Sequence, residues 1–114
     1  MKFASAELHT KGDKVEISNK KHEIIIFRIL QEFFSNSVKY SEAKNLKVVL
    51  HYQPEMLQIV ASDDGKGFDM NDVEKGSGLI NMESWAALIN AEFKMEAKLN
   101  EGVVLKLDYP FSES

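Results

Sequence analysis

Residues 23 to about 40 contain neither glycine nor proline and read as one helix. That stretch makes about five turns at 3.6 residues per turn. It commits a chain of only 114 residues to packing one long helix against something else. Most of the stretch is apolar, from Ile24, Ile25, Ile26 and Phe27 through Ile29, Leu30, Phe33 and Phe34 to Val38. The flanking sequence has the other period. Residues 46–53 and 56–62 have strand composition, and Pro54-Glu55 between them reads as a hairpin turn. Residues 3–8 form a candidate short strand that ends near Lys11-Gly12-Asp13, and 13–22 read as a polar loop. Residues 78–90 place Leu79, Met82, Ala86 and Ile89 at helical spacing. Residues 91–97 and 103–109 alternate as strands around a turn at Asn100-Glu101-Gly102. The order strand, helix, two strands, helix, two strands predicts an α+β fold. It is a two-layer α/β sandwich, with a mixed, mainly antiparallel sheet and helices on one face. The length suits one domain over residues 1–114.

Composition removes several classes. There is no cysteine, which excludes a disulfide scaffold and a zinc-thiolate site and fits the cytoplasm. No run of 18 apolar residues offers a membrane span, and the first residues turn acidic too soon for a signal peptide. The net charge of −4 is mixed along the chain. Lys20-Lys21-His22 is too short to be the basic stripe of a nucleic-acid binder. The reading is therefore no nucleic acid and no membrane contact by this domain.

Three features carry chemistry. Arg28, Glu32, Asn36 and Lys39 are spaced four, four and three apart, on one face of the long helix. That face is either a solvated stripe or a ligand face. Asn is a poor helix former and a solvated stripe does not need it. Glu and Asn one turn apart suit a hard cation such as Mg²⁺, which takes one or two protein oxygens plus substrate phosphates. Secondly, the apolar run 56–61 ends in Ser-Asp-Asp-Gly-Lys-Gly-Phe-Asp, which is either turn chemistry or a ligand site at a strand end. Thirdly, Gly65, Gly67, Gly76 and Gly78 crowd one segment. They make either a flexible surface loop or an anion site, because Gly78 opens a helix. Neither a Walker pattern nor a Rossmann unit is present.

The stretches RILQEFFSNSVKYSEA (28–43), DDGKGF (63–68) and GSGLINM (76–82) resemble, in order, the three nucleotide-binding boxes of the GHKL ATPase superfamily. The match is best to the catalytic ATP-binding domain of bacterial sensor histidine kinases, in the branch with a short ATP lid. It runs from about Phe27 to Phe111, and the ordered co-occurrence of three motifs makes it specific. The resemblance implies ATP and Mg²⁺ as cofactors. Asn36 then ligates the metal, and Glu32 is the catalytic carboxylate beside the transferring phosphoryl group, acting as base or water-orienting residue. Lys39 contacts a phosphate and Tyr40 lies beside the nucleotide. Asp63 accepts the adenine amino group, Gly65 and Gly67 let the chain approach the base, and Phe68 anchors the lid. Gly76 and Gly78 cradle the phosphates, with Leu79 in the same binding set. There are departures. Asp64 stands where the family commonly has Asn, Glu83 follows Asn81-Met82 where Arg is common, and Gly102-Val103 replaces a common Gly-Thr.

The resemblance also implies partners. These are a phosphoacceptor helical-hairpin domain, in the same full-length protein or in trans, and a downstream response regulator. His22-Glu23 resembles an acceptor dipeptide, but it opens the nucleotide-box helix and is not expected to be the acceptor. The chain is expected to be a cytoplasmic catalytic domain cut from a longer kinase, whose full length is compatible with a membrane anchor, or a chain acting in trans. The alternatives are a stand-alone anti-sigma-factor-type serine kinase of the same superfamily and a non-catalytic ATP-binding module.

Overall fold

Strands and helices, mixed along the chain, separate in space into one sheet and a helix layer. In the computed structural model, residues 5–37, 44–66, 77–98 and 102–111 are described. They form β1 (Ser5–Lys11), α1 (Lys20–Asn36), β2 (Asn45–Tyr52), β3 (Met56–Asp63), α2 (Ser77–Leu88), β4 (Glu92–Lys98) and β5 (Gly102–Pro110). The sheet order is β1-β2-β3-β5-β4. β1 runs parallel to β2, across the α1 connection, and the other neighbours are antiparallel. This is the mixed, mainly antiparallel sandwich expected.

Pairing register explains the two faces. Ala6, Leu46, Asp63, Val103 and Ala97 stand side by side in one row. Two residues along, on the same face, stand Leu8, Val48, Ala61, Leu105 and Met95. The centre of this face is buried with Ile26, Ile29 and Phe33 of α1 and Leu79, Met82 and Ala86 of α2. The intervening row, Glu7, Lys47, Ser62, Val104 and Glu96, faces the other way and is mostly polar. Period two in the strands thus separates core from solvent, and Asp63 is the acid left in the core-facing rows of β2, β3 and β5.

Some boundaries differ from expectation. α1 begins at Lys20, earlier than the apolar pattern suggests. Asn19 caps it, its side chain accepting from the Lys21 N–H at 3.0 Å and the His22 N–H at 3.4 Å. A cap satisfies the orphan donors of a first turn without any apolar residue, so hydrophobic spacing misses it. The helix is also less buried than its composition implies. Ile24 is 54% exposed and Phe27 66%. α2 stops at Leu88 because Asn90 takes a left-handed φ of 57°, which directs the Ala91 N–H back to the Ala86 carbonyl at 2.9 Å.

Candidate functional site

The site is built around the last residue of β3. Asp63 faces the helices between Leu46 and Val103, both buried and apolar. A carboxylate there needs donors. The Ser37 hydroxyl donates to Oδ2 at 2.7 Å, and the Gly65 N–H donates to Oδ1 at 3.0 Å. The second bond folds the chain back over Asp63 as an Asx turn. β5 starts hard against the same residue. Gly102 has φ of +83°, and a Cβ on it would lie 2.4 Å from the Asp63 carbonyl oxygen.

Its neighbour points the other way. Asp64 is exposed, and its Oδ1 accepts from the Asn45 N–H at 2.9 Å and the Lys44 N–H at 3.1 Å. Its Oδ2 accepts from the Asn45 side-chain amide. These bonds, the Asn45 side chain foremost, hold the Asp64 carboxyl below its ordinary value of 3.8. The two adjacent acids therefore have different tasks. Asp63 is turned toward the helices, and Asp64 latches the entry of β2 to the exit of β3.

On α1 the polar stripe is graded rather than uniformly solvated. Arg28 is exposed, Glu32 is half-buried and Asn36 is buried, only 6% exposed. The Asn36 Nδ2 has no hydrogen-bond partner among the described residues. A buried amide left unpaired costs about 1–3 kcal/mol, so this position fits a polar ligand better than solvent. The same amide can turn its oxygen toward a cation, the two orientations being isosteric. Among the described residues no cluster of three His, Asp or Glu would hold a metal ion. Mg²⁺ shared with phosphates does not need one.

Asn36 and Ser37 are consecutive, so the helix end ties the amide to the Asp63–Gly65 turn. Gly78 is the second residue of α2. Leu79 is 5% exposed and belongs to the core, so its side chain holds α2 against the sheet. Lys39, Tyr40, Gly67, Phe68 and Gly76 lie outside the described residues. Ser37 was missed from sequence, as was the anchoring role of Asn45. Ser37 lies four residues after Phe33, on the core side of the helix. A small hydroxyl residue on that side was the available signal. A cavity of about 380 Å³ also touches Asp63. It is lined chiefly by Glu7, Lys47, Ser62 and Asp64 and by neither Asn36 nor Ser37. The outward row supplies most of its walls, with Leu46 and Asp63 at its edge, so it opens away from Asn36 and Ser37.

Fold and site together define a two-layer α/β sandwich with a strand-end carboxylate bonded to a hydroxyl at the end of a helix that also carries a buried amide. Residues 21–112 match the family model described as Histidine kinase-, DNA gyrase B-, and HSP90-like ATPase. The chain belongs to that family. It is similar to the signal transduction histidine-protein kinase/phosphatase DegS of Brevibacillus brevis, 30% identical over 91 residues, covering 79% of this chain and 24% of DegS. It is similar also to the oxygen sensor histidine kinase NreB of Staphylococcus carnosus, 29% identical over 93 residues, covering 80% of this chain and 27% of NreB. The chain thus spans about a quarter of these curated relatives. Among solved structures, the histidine kinase domain from the Erythrobacter litoralis EL346 blue-light activated histidine kinase superposes with a TM-score of 0.71 at 18% identity. That match covers 93% of this chain and 52% of the other. The Acinetobacter baumannii histidine kinase AdeS gives 0.72 at 15% identity, covering 96% and 56%. At those identities the structural matches speak for the fold alone.

Proposed function

We propose that this chain binds Mg-ATP and transfers the γ-phosphoryl group to a histidine on a separate dimerisation and phosphoacceptor domain in two-component signalling. The observation that carries the reading is the buried Asn36 amide, unpartnered among the described residues, next to the Ser37–Asp63 bond. It supports a phosphate and metal end on α1 and a base end at β3. Asp63, accepting only, suits the exocyclic amine of adenine and leaves the carbonyl of guanine unpaired. Asn36 would hold Mg²⁺, which supplies charge neutralisation to the phosphates when bound. Glu32, half-buried one turn earlier, accepts the proton of the attacking imidazole or orients it. The imidazole nitrogen forms the new bond to phosphorus as the bond to the ADP oxygen breaks.

The histidine acceptor is favoured over a serine because the relatives are histidine kinases. A response regulator is the downstream partner of such a kinase. No described helix is long and apolar enough to cross a membrane.

The test separates the two α1 residues. Asn36→Ala should weaken Mg-ATP binding and lose most of the difference that Mg²⁺ makes. Glu32→Gln should spare binding and slow transfer to a cognate acceptor domain by ~10²–10⁴-fold. Calorimetry with and without Mg²⁺ and a phosphotransfer assay read both. Wild-type Mg-ATP affinity in Asn36→Ala would remove the metal assignment.

A further inference from the structure

We propose that Ser37 is a specificity-determining positioning residue, whose hydroxyl fixes the Asp63 carboxylate in the orientation that reads the base amine. The inference rests on Asp63 being the base-reading group. Ser37 is 1% exposed. Its backbone is held by the helix, its N–H reaching the carbonyls of Phe33 and Phe34. With the backbone fixed, χ1 alone places the oxygen, and it stands 2.7 Å from Asp63 Oδ2. The strands flanking Asp63 offer only Leu46 and Val103 in its row, neither with a polar side chain. The side-chain hydroxyl at Asp63 comes from the helix instead.

This matters because the terminal torsion of an aspartate is soft. The Gly65 N–H restrains one oxygen. Ser37 restrains the other, and two anchored oxygens fix the plane of the group. Each oxygen keeps acceptor capacity after these bonds, now aimed in a set direction for an N–H donor. With Ser37 gone, the carboxylate still accepts, but Oδ2 loses this restraint, and discrimination by direction weakens. Packing alone does not call for serine. Alanine is the better helix former and fills the same space short of one oxygen. Ser37 also follows Asn36 directly, so the helix end that carries the phosphate-side amide sets the base-side carboxylate.

The test compares ATP with purine riboside 5′-triphosphate, which lacks the 6-amino group. Affinities are measured by calorimetry in Mg²⁺ for wild type, Ser37→Ala, Ser37→Thr, Ser37→Cys and Asp63→Asn, with thermal unfolding of each. In Ser37→Ala, ATP affinity should fall about tenfold and the amine-free analogue less than about twofold, the loss of one oriented hydrogen bond. Ser37→Thr should keep the preference for ATP. Ser37→Cys, similar in volume but a weak donor, should reduce it, so the comparison survives if Ser37→Ala does not fold. An equal fall for both nucleotides in Ser37→Ala, or no change in either, overturns the inference. If Asp63→Asn abolishes the preference while Ser37→Ala retains it, the inference fails and the base-reading role of Asp63 stands. A wild type that binds both nucleotides equally overturns that role, and the inference with it.

Discussion

Gly102 meets two constraints at the scale of one residue. Its φ of +83° is left-handed, and the space a Cβ would need is taken by the Asp63 carbonyl. Gly102→Ala should therefore cost about 2 kcal/mol or more, from backbone strain plus displacement of β3. The measurement is the urea midpoint, with the slope unchanged if only stability has moved. Asn36 predicts the opposite trade. Its Nδ2 is buried and has no partner among the described residues, so Asn36→Ala should stabilise the nucleotide-free protein by about 1 kcal/mol while weakening Mg-ATP binding. Lower stability of Asn36→Ala without nucleotide would mean that the amide is satisfied in the free protein. Asp63 was legible because two acids followed by glycine close an apolar strand. Ser37 was not, because its importance depends on which strand end comes to face it, and that is set by tertiary packing.

The elements owe their ends to side chains that hydrophobic periodicity does not register. Asn19 starts α1 by accepting two backbone N–H groups. Asn19→Ala should cost about 1 kcal/mol in thermal or urea unfolding. β2 and β3 are locked at their open end by Asp64, and this lock responds to pH. The carboxyl is held below 3.8 in the folded chain, first by the Asn45 side chain. Folding therefore favours the charged form. Its contribution is fully present above the unfolded value and is lost as pH falls through the folded one. The stability difference between wild type and Asp64→Asn should thus be constant near neutrality and shrink below about pH 4. Unfolding midpoints across a pH series read it, and a difference independent of pH would dismiss the latch. Strand and helix identities were legible because each element keeps one period over two or more turns or several residues. The ends were not, since caps and latches are single contacts, some between residues far apart in sequence.

Across the whole molecule, the sheet separates a helix-covered face that carries Asp63 from an outward face of mostly polar rows. The three histidines are distributed accordingly. His9 and His51 occupy outward rows of β1 and β2. His22 lies in the first turn of α1, where its Nδ1 is 2.8 Å from the Tyr109 hydroxyl and the rings meet edge to face. Tyr109 is near the far end of β5, whereas Val103, the partner of Asp63, is near its start. That separation is roughly 20 Å of strand at about 3.4 Å per residue. His22 is also roughly 21 Å along the helix axis from Asn36 at 1.5 Å per residue. An in-line attack needs the imidazole within about 3.5 Å of phosphorus, so His22 cannot reach a phosphoryl group held near Asn36 while α1 is intact. The chain alone should therefore acquire no acid-labile label from γ-labelled Mg-ATP. Adding a helical-hairpin domain with an accessible histidine should place label on the hairpin. Glu32→Gln should slow that labelling without lowering nucleotide affinity. Label on this chain alone, removed by His22→Ala, would show that α1 opens or that a second copy presents His22. The acceptor would then lie within this domain rather than on a separate one.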